Sequence, residues 1–248
     1  MKNATQCSKS WFGNSRKQDA SKMIQNCDAV IFDFDGTLYD YRHMPLNVVL
    51  NSLLNVFRIK AERDARRNLK GIDFGTAEKF KEAYAAEVAK LSGMSIEDAS
   101  DWCFSAGPAN MLDVLQKKYH CRLTVPQVFD KLAEAGIKTA VFSDYAFVKE
   151  RMAAIGLPAD MCKNLFSAEE LGALKPCPRP FLAIAAALGV EPDRCIVVGD
   201  RLDTDGAGAA EAGMKFVQII TYKTKTSDFA AGHPVIVWDD FAASVLDD

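Results

Sequence analysis

The chain has little of what builds dedicated metal or disulfide scaffolds. It holds three histidines, His43, His120 and His233, far from one another, and only His120 stands beside a cysteine, Cys121, so the ligand spacings of a zinc site are missing. Seven cysteines, at 7, 27, 103, 121, 162, 177 and 195, include no Cys-x-x-Cys pair and are odd in number, which fits reduced thiols better than a disulfide framework. A basic excess is also missing: the net charge is -3, whereas grip on a phosphate backbone needs clustered positive charge, so no nucleic-acid partner is expected. No apolar run is long enough to span a bilayer, and the first 27 residues lack the continuous apolar stretch of a secretion signal. A cytoplasmic protein without a membrane partner is the expectation. Internal repeats and low-complexity tracts are lacking too.

What is present is an ordinary globular composition, 49% hydrophobic and 25% charged over 248 residues, enough for one core domain and a smaller appended one. Residues 1–27 are largely polar and without periodicity, and are expected to form a tail. The run Ala29-Val30-Ile31-Phe32 is short, apolar and β-prone, and stops at Asp33, as a buried parallel strand does before its functional loop. Similar runs follow at 139–142, 195–198, 216–220 and 235–238, mostly separated by helical patterns. The fold class predicted is α/β: a Rossmann-like three-layer core with a mostly parallel sheet.

Between the first two strands the texture becomes helical, an insertion of about eighty residues judged by its helix signals. Leu46, Val49, Leu50, Leu53, Leu54 and Phe57 follow helical spacing behind Pro45, and Phe80, Ala83, Tyr84 and Val88 form a second stripe; both read as core-facing. Ser95 with Asp98 predicts a capping box, and Pro108 a further helix start. The domains expected are a core of residues 28–40 and 122–248 and a helical cap of 41–121.

Chemistry concentrates at predicted strand ends. Asp33 and Asp35, followed by Gly36 and Thr37, sit at the carboxyl end of the first strand, where open parallel sheets bind ligands. Ser143 ends the second predicted strand and Asp200 follows Gly199 at the end of a later one, with Asp203 and Asp205 just beyond. Lys175, in Lys175-Pro176-Cys177-Pro178, precedes a helical stretch and so also reaches that rim.

These segments, in this order, resemble the four motifs of the haloacid dehalogenase-like hydrolases. Asp33-Phe34-Asp35-Gly36-Thr37 matches the first, Ser143 the second, Lys175 the third, and Gly199-Asp200 with Asp205 the fourth. The match covers roughly residues 28 to 225, with boundaries good to several residues. The resemblance implies Asp33 as nucleophile, Asp35 as acid and base, and phosphate binding by Ser143, Lys175, Gly36 and Thr37. It implies a Mg²⁺ ion held by the Asp33 and Asp200 carboxylates and the Asp35 main-chain carbonyl, with Asp205 orienting its surroundings. Asp35 favours phosphoryl transfer, since the dehalogenases do without this acid. The expected activity is Mg²⁺-dependent hydrolysis of a small phosphorylated metabolite; the alternatives are a phosphomutase similar to β-phosphoglucomutase and, more remotely, a non-catalytic module on the same scaffold. The chain departs from the motifs at Asp144, where Asn is common, and at Cys177, where an acid is common.

Arg63, Arg66, Arg67 and Lys70 fall at helical spacing in the insertion. With Glu62 and Asp64 beside them they read as a solvated face, and as substrate-specificity residues if one reaches a second anion on the substrate.

Overall fold

The computed structural model describes residues 17–158, 160–230 and 232–247. Six strands, β1 (Ala29–Phe32), β2 (Lys138–Ser143), β3 (Leu165–Ser167), β4 (Cys195–Gly199), β5 (Lys215–Ile219) and β6 (Val235–Ile236), lie side by side in the order β3-β2-β1-β4-β5-β6. Every pairing is parallel, so all carboxyl ends share one edge. β1 is central and wholly buried, which is why its sequence is apolar without alternation.

Alternate β1 side chains feed two cores. Val30 and Phe32 join Phe129 of α7 (Val125–Glu134) and Phe241 of α11 (Trp238–Leu246), while Ala29 and Ile31 join Phe181 of α9 (Pro178–Leu188) and Ala209 of α10 (Ala207–Glu211). Helices on both faces give the three layers expected. Phe32 and Phe129 stack with ring centroids 4.9 Å apart.

Residues 44–118 contain α2 (Met44–Asn51), α3 (Val56–Asn68), α4 (Ala77–Ser92), α5 (Ile96–Asp101) and α6 (Gly107–Lys118), and no strand. The Thr76 side chain caps α4 by accepting from Lys79 N, and the helix buries Phe80, Tyr84 and Val88 in a cluster with the small Ala61 and Ala65 of α3. Ser95 Oγ accepts from Asp98 N at 3.0 Å, so the expected cap forms. Pro108 stands in the first turn of α6, as expected. A π-helical turn, Trp102–Ala106, joins α5 to α6 without a break, and that wider turn is the irregularity at which a helix accommodates proline.

Four expectations need correction. Of the segment 1–27 expected as a polar tail, residues 1–16 lie outside the described residues, but 17–25 form a helix, α1, that buries Ala20 and Ile24 in the core; two apolar positions one turn apart suffice to dock a short helix. The stripe from Leu46 to Phe57 is not a core face: Ser52, at φ -145°, ends α2, a 3₁₀ turn intervenes, and Leu54 and Phe57 are 99% and 82% exposed. Val235–Trp238 is a strand only to Ile236, because Trp238 opens α11. The short edge strand β3 was not expected, its three residues being too few for a periodic signal.

No helix among the described residues is long and apolar enough to cross a membrane, and the six described cysteines are free.

Candidate active site

Register brings the motifs together. Phe32 pairs with Val141 on one side and with Val198 on the other, so the residues just beyond, Asp33, Ser143 and Asp200, emerge side by side from three adjacent strands. The loop after Asp33 turns back through Gly36, at φ +87°. Arg122, where the chain returns from the helical insertion, donates from Nε to the Thr37 carbonyl at 2.9 Å and from an Nη to the Gly36 carbonyl at 3.1 Å. Sequence reasoning missed this clamp.

Lys175 is buried at the centre. Its ammonium donates at 2.8 Å to each of Asp33 Oδ1, Asp205 Oδ1 and the Phe142 carbonyl, using all three protons. Burial alone would push this ammonium down, but Asp205, Asp33 and Asp144 hold it above its ordinary value. The Asp144 Oδ1 accepts the Lys175 main-chain N–H at 2.9 Å, so this departure from the motif fastens the lysine's backbone. Cys177 stands at the start of α9, its thiol pushed up mainly by burial.

Asp33, Asp200 and Asp205 each place a carboxylate oxygen within 4.8 Å of the others, all buried. Burial, followed by the charge of Asp205, raises Asp33 well above the usual carboxylate range. Asp200 is pushed up to about 7 by burial first and Asp205 second. Crowded, desolvated acids of this kind are an unrelieved charge that a hard dication fits, since all the donors are oxygens. Asp205 is engaged on both oxygens, by Lys175 and by Arg201 N at 3.2 Å, and Asp33 on both by Lys175 and Thr37, so all three carboxylates are candidate ligands. Gly199 permits the crowding: a Cβ there would lie 2.6 Å from Asp205 Oδ2.

Thr37 is fully buried and its hydroxyl donates to Asp33 Oδ2 at 3.2 Å, so its side chain braces the aspartate. Ser143 Oγ accepts from Tyr145 N at 3.1 Å and from Arg151 at 2.7 Å. With both acceptor sites filled, the hydroxyl has only its own proton left to offer, which suits an anionic ligand. Asp35 is held by Arg151, whose Nη2 lies 2.7 and 2.6 Å from its two oxygens, and by the Tyr39 hydroxyl on Oδ1. Nothing in the sequence pattern marked Arg151.

Above Lys175 and Asp200 opens a cavity of about 960 Å³ lined also by Arg63, Arg66, Arg67 and Lys70, and by Lys223 and Lys225 from the loop after β5. The four cations differ. Arg66 has a side chain only 12% exposed, paired with Glu169 and stacked 3.9 Å from the Tyr145 ring centroid, whereas Arg63 and Arg67 have side chains 62% and 68% exposed. Lys70 lies beyond the end of α3 and pairs with Asp203.

A family model described as haloacid dehalogenase-like hydrolase matches residues 27–213. A glyceraldehyde 3-phosphate phosphatase from Methanopyrus kandleri is 38% identical over 36% of this chain and 39% of its own length. A phosphoglycolate phosphatase from Rhodospirillum rubrum is 34% identical over 45% of this chain and 46% of its own. The chain thus spans less than half the length of each of these curated relatives. Among solved structures, CbbY from Rhodobacter sphaeroides in complex with phosphate superposes with a TM-score of 0.60, at 18% identity over 88% of this chain and 99% of that one.

Proposed function

Because the chain belongs to the haloacid dehalogenase-like hydrolase family, we propose that it is a Mg²⁺-dependent phosphatase of a small phosphate monoester, with Asp33 as covalent nucleophile. The observation that carries this reading is the trio Asp33, Asp200 and Asp205, two of them bonded to Lys175, on the edge where three parallel strands end. Relatives named for glyceraldehyde 3-phosphate and phosphoglycolate support the substrate class.

Asp33 and Asp200, with the Asp35 main-chain carbonyl, would hold the ion. When bound it offsets the negative charge of the acids and of the phosphate. Lys175 and Thr37 fix the Asp33 carboxylate, so that it attacks phosphorus without first searching rotamers. The P–O bond to the leaving alcohol breaks as the bond to Asp33 forms, giving an aspartyl phosphate. Asp35 supplies a proton to the departing oxygen, then removes one from the water that hydrolyses the intermediate. Ser143 donates its remaining proton to the phosphoryl oxygens, and Lys175 balances their charge. The helical insertion acts as a cap over the cavity, and its exposed Arg63 and Arg67 are available to a second anionic group on the substrate.

The test is free phosphate released from a panel of sugar phosphates, phosphoglycolate and nucleotides with Mg²⁺ and after chelation. Mg²⁺-dependent release from a small ester is expected. Release undiminished by thorough chelation would contradict the reading, and an isomeric phosphate ester with little free phosphate would make the protein a mutase instead.

A further inference from the structure

Arg151 stands on α8 (Val148–Ala154), 116 residues along the chain from Asp35, and its side chain is 2% exposed. One guanidinium serves two groups the reaction needs: Nη2 donates to both Asp35 oxygens and Nη1 to Ser143 Oγ. The guanidinium lies over Phe34, 4.4 Å from its ring centroid, and near Tyr145 at 5.3 Å, so its plane is fixed by packing. Its Nε is buried without a hydrogen-bond partner. Burying a guanidinium with one donor unmet is costly, and an apolar side chain would fill the same space between Phe34 and Tyr145 more cheaply. The arrangement therefore asks for a role beyond packing.

The donor inventory supplies one. Asp35 Oδ1 takes donors from Arg151 and Tyr39, while Oδ2 takes one from Arg151 alone, leaving Oδ2 the less occupied oxygen. The Tyr39 bond thus sets which oxygen of Asp35 is left to exchange a proton, while Arg151 holds the carboxylate in place and ties its orientation to Ser143.

We propose that Arg151 is a positioning residue that orients Asp35 for proton transfer to the leaving group and aligns it with the Ser143 hydroxyl. The inference rests on the phosphatase reading above. It acts through geometry: one rigid guanidinium plane spans Asp35 through Nη2 and Ser143 through Nη1, fixing the two groups relative to each other as the freely rotating ammonium of a lysine does not.

The test uses the full chain with Mg²⁺ and a series of aryl phosphates running from p-nitrophenyl to p-methoxyphenyl, whose leaving groups need protonation to increasing degrees. Arg151→Met should slow kcat by tenfold or more on the poorest leaving group and only about threefold on p-nitrophenyl phosphate, with KM altered less than kcat. Arg151→Lys, which keeps the buried cation and therefore the fold, should show the same steepening to a smaller degree. In an Asp35→Asn background Arg151→Met should add less than about threefold, since Arg151 acts through Asp35. An equal loss across the series in Arg151→Lys, or additive losses with Asp35→Asn, would overturn the inference while leaving the phosphatase intact. Wild-type protein that cleaves none of the esters would overturn the functional reading, and this inference with it.

Discussion

Gly36 has φ +87°, and a Cβ placed there would come 2.7 Å from Asp200 Oδ2. Both the backbone and the crowded acid oppose a side chain, so Gly36→Ala should cost about 1–3 kcal/mol from strain and lose most of its activity. Urea unfolding and phosphate release measure the two effects; wild-type activity in that variant would place the ligand elsewhere. The residues readable from sequence are those whose partners are set by the strand edge: Asp33, Ser143, Lys175, Asp200 and Asp205 come together where the motif order implies. Arg151 and Arg122 were not readable. Their contacts lie 116 and 85 residues away, and an isolated arginine on an amphipathic stretch carries no local mark of its partner.

Among the elements, the buried strands were legible because a short apolar run ending in a carboxylate fits a buried parallel strand and little else. Helix faces were less so. Periodicity reports that one face is apolar but not whether anything covers it, and the Leu46–Phe57 stretch is exposed while the Phe80–Val88 face is buried. The cationic stripe of α3 shows the same limit, for Arg66 alone turns inward to Glu169, whose side chain is 6% exposed. Arg66→Ala leaves that carboxylate without its partner and should destabilise by about 3–5 kcal/mol. Arg67→Ala, at an exposed pair with Asp64 3.1 Å away, should leave the unfolding midpoint nearly unchanged. Equal midpoints for the two variants in chemical denaturation would show that Arg66 does not fasten the helical insertion to the core.

For the molecule as a whole, the modest net charge of -3 conceals a local excess of buried acid. Asp33, Asp200 and Asp205 repel one another in a desolvated site, a cost to stability borne at a site of binding. Mg²⁺ at a hundredfold its dissociation constant should add about 2.7 kcal/mol to folding stability and raise the melting temperature. Asp200→Asn should melt higher than wild type without the ion and respond to it weakly; a Mg²⁺ response of wild-type size in that variant would remove Asp200 from the metal site. The covalent role of Asp33 is open to chemical trapping. Protein quenched in acid during turnover and treated with borohydride should carry homoserine at position 33, because the reagent reduces an acyl phosphate and spares a free carboxylate. Asp33→Asn, or wild type without substrate, should yield none. Turnover with residue 33 unmodified and a trapped phosphoryl group on another side chain would mean that Asp33 is not the nucleophile.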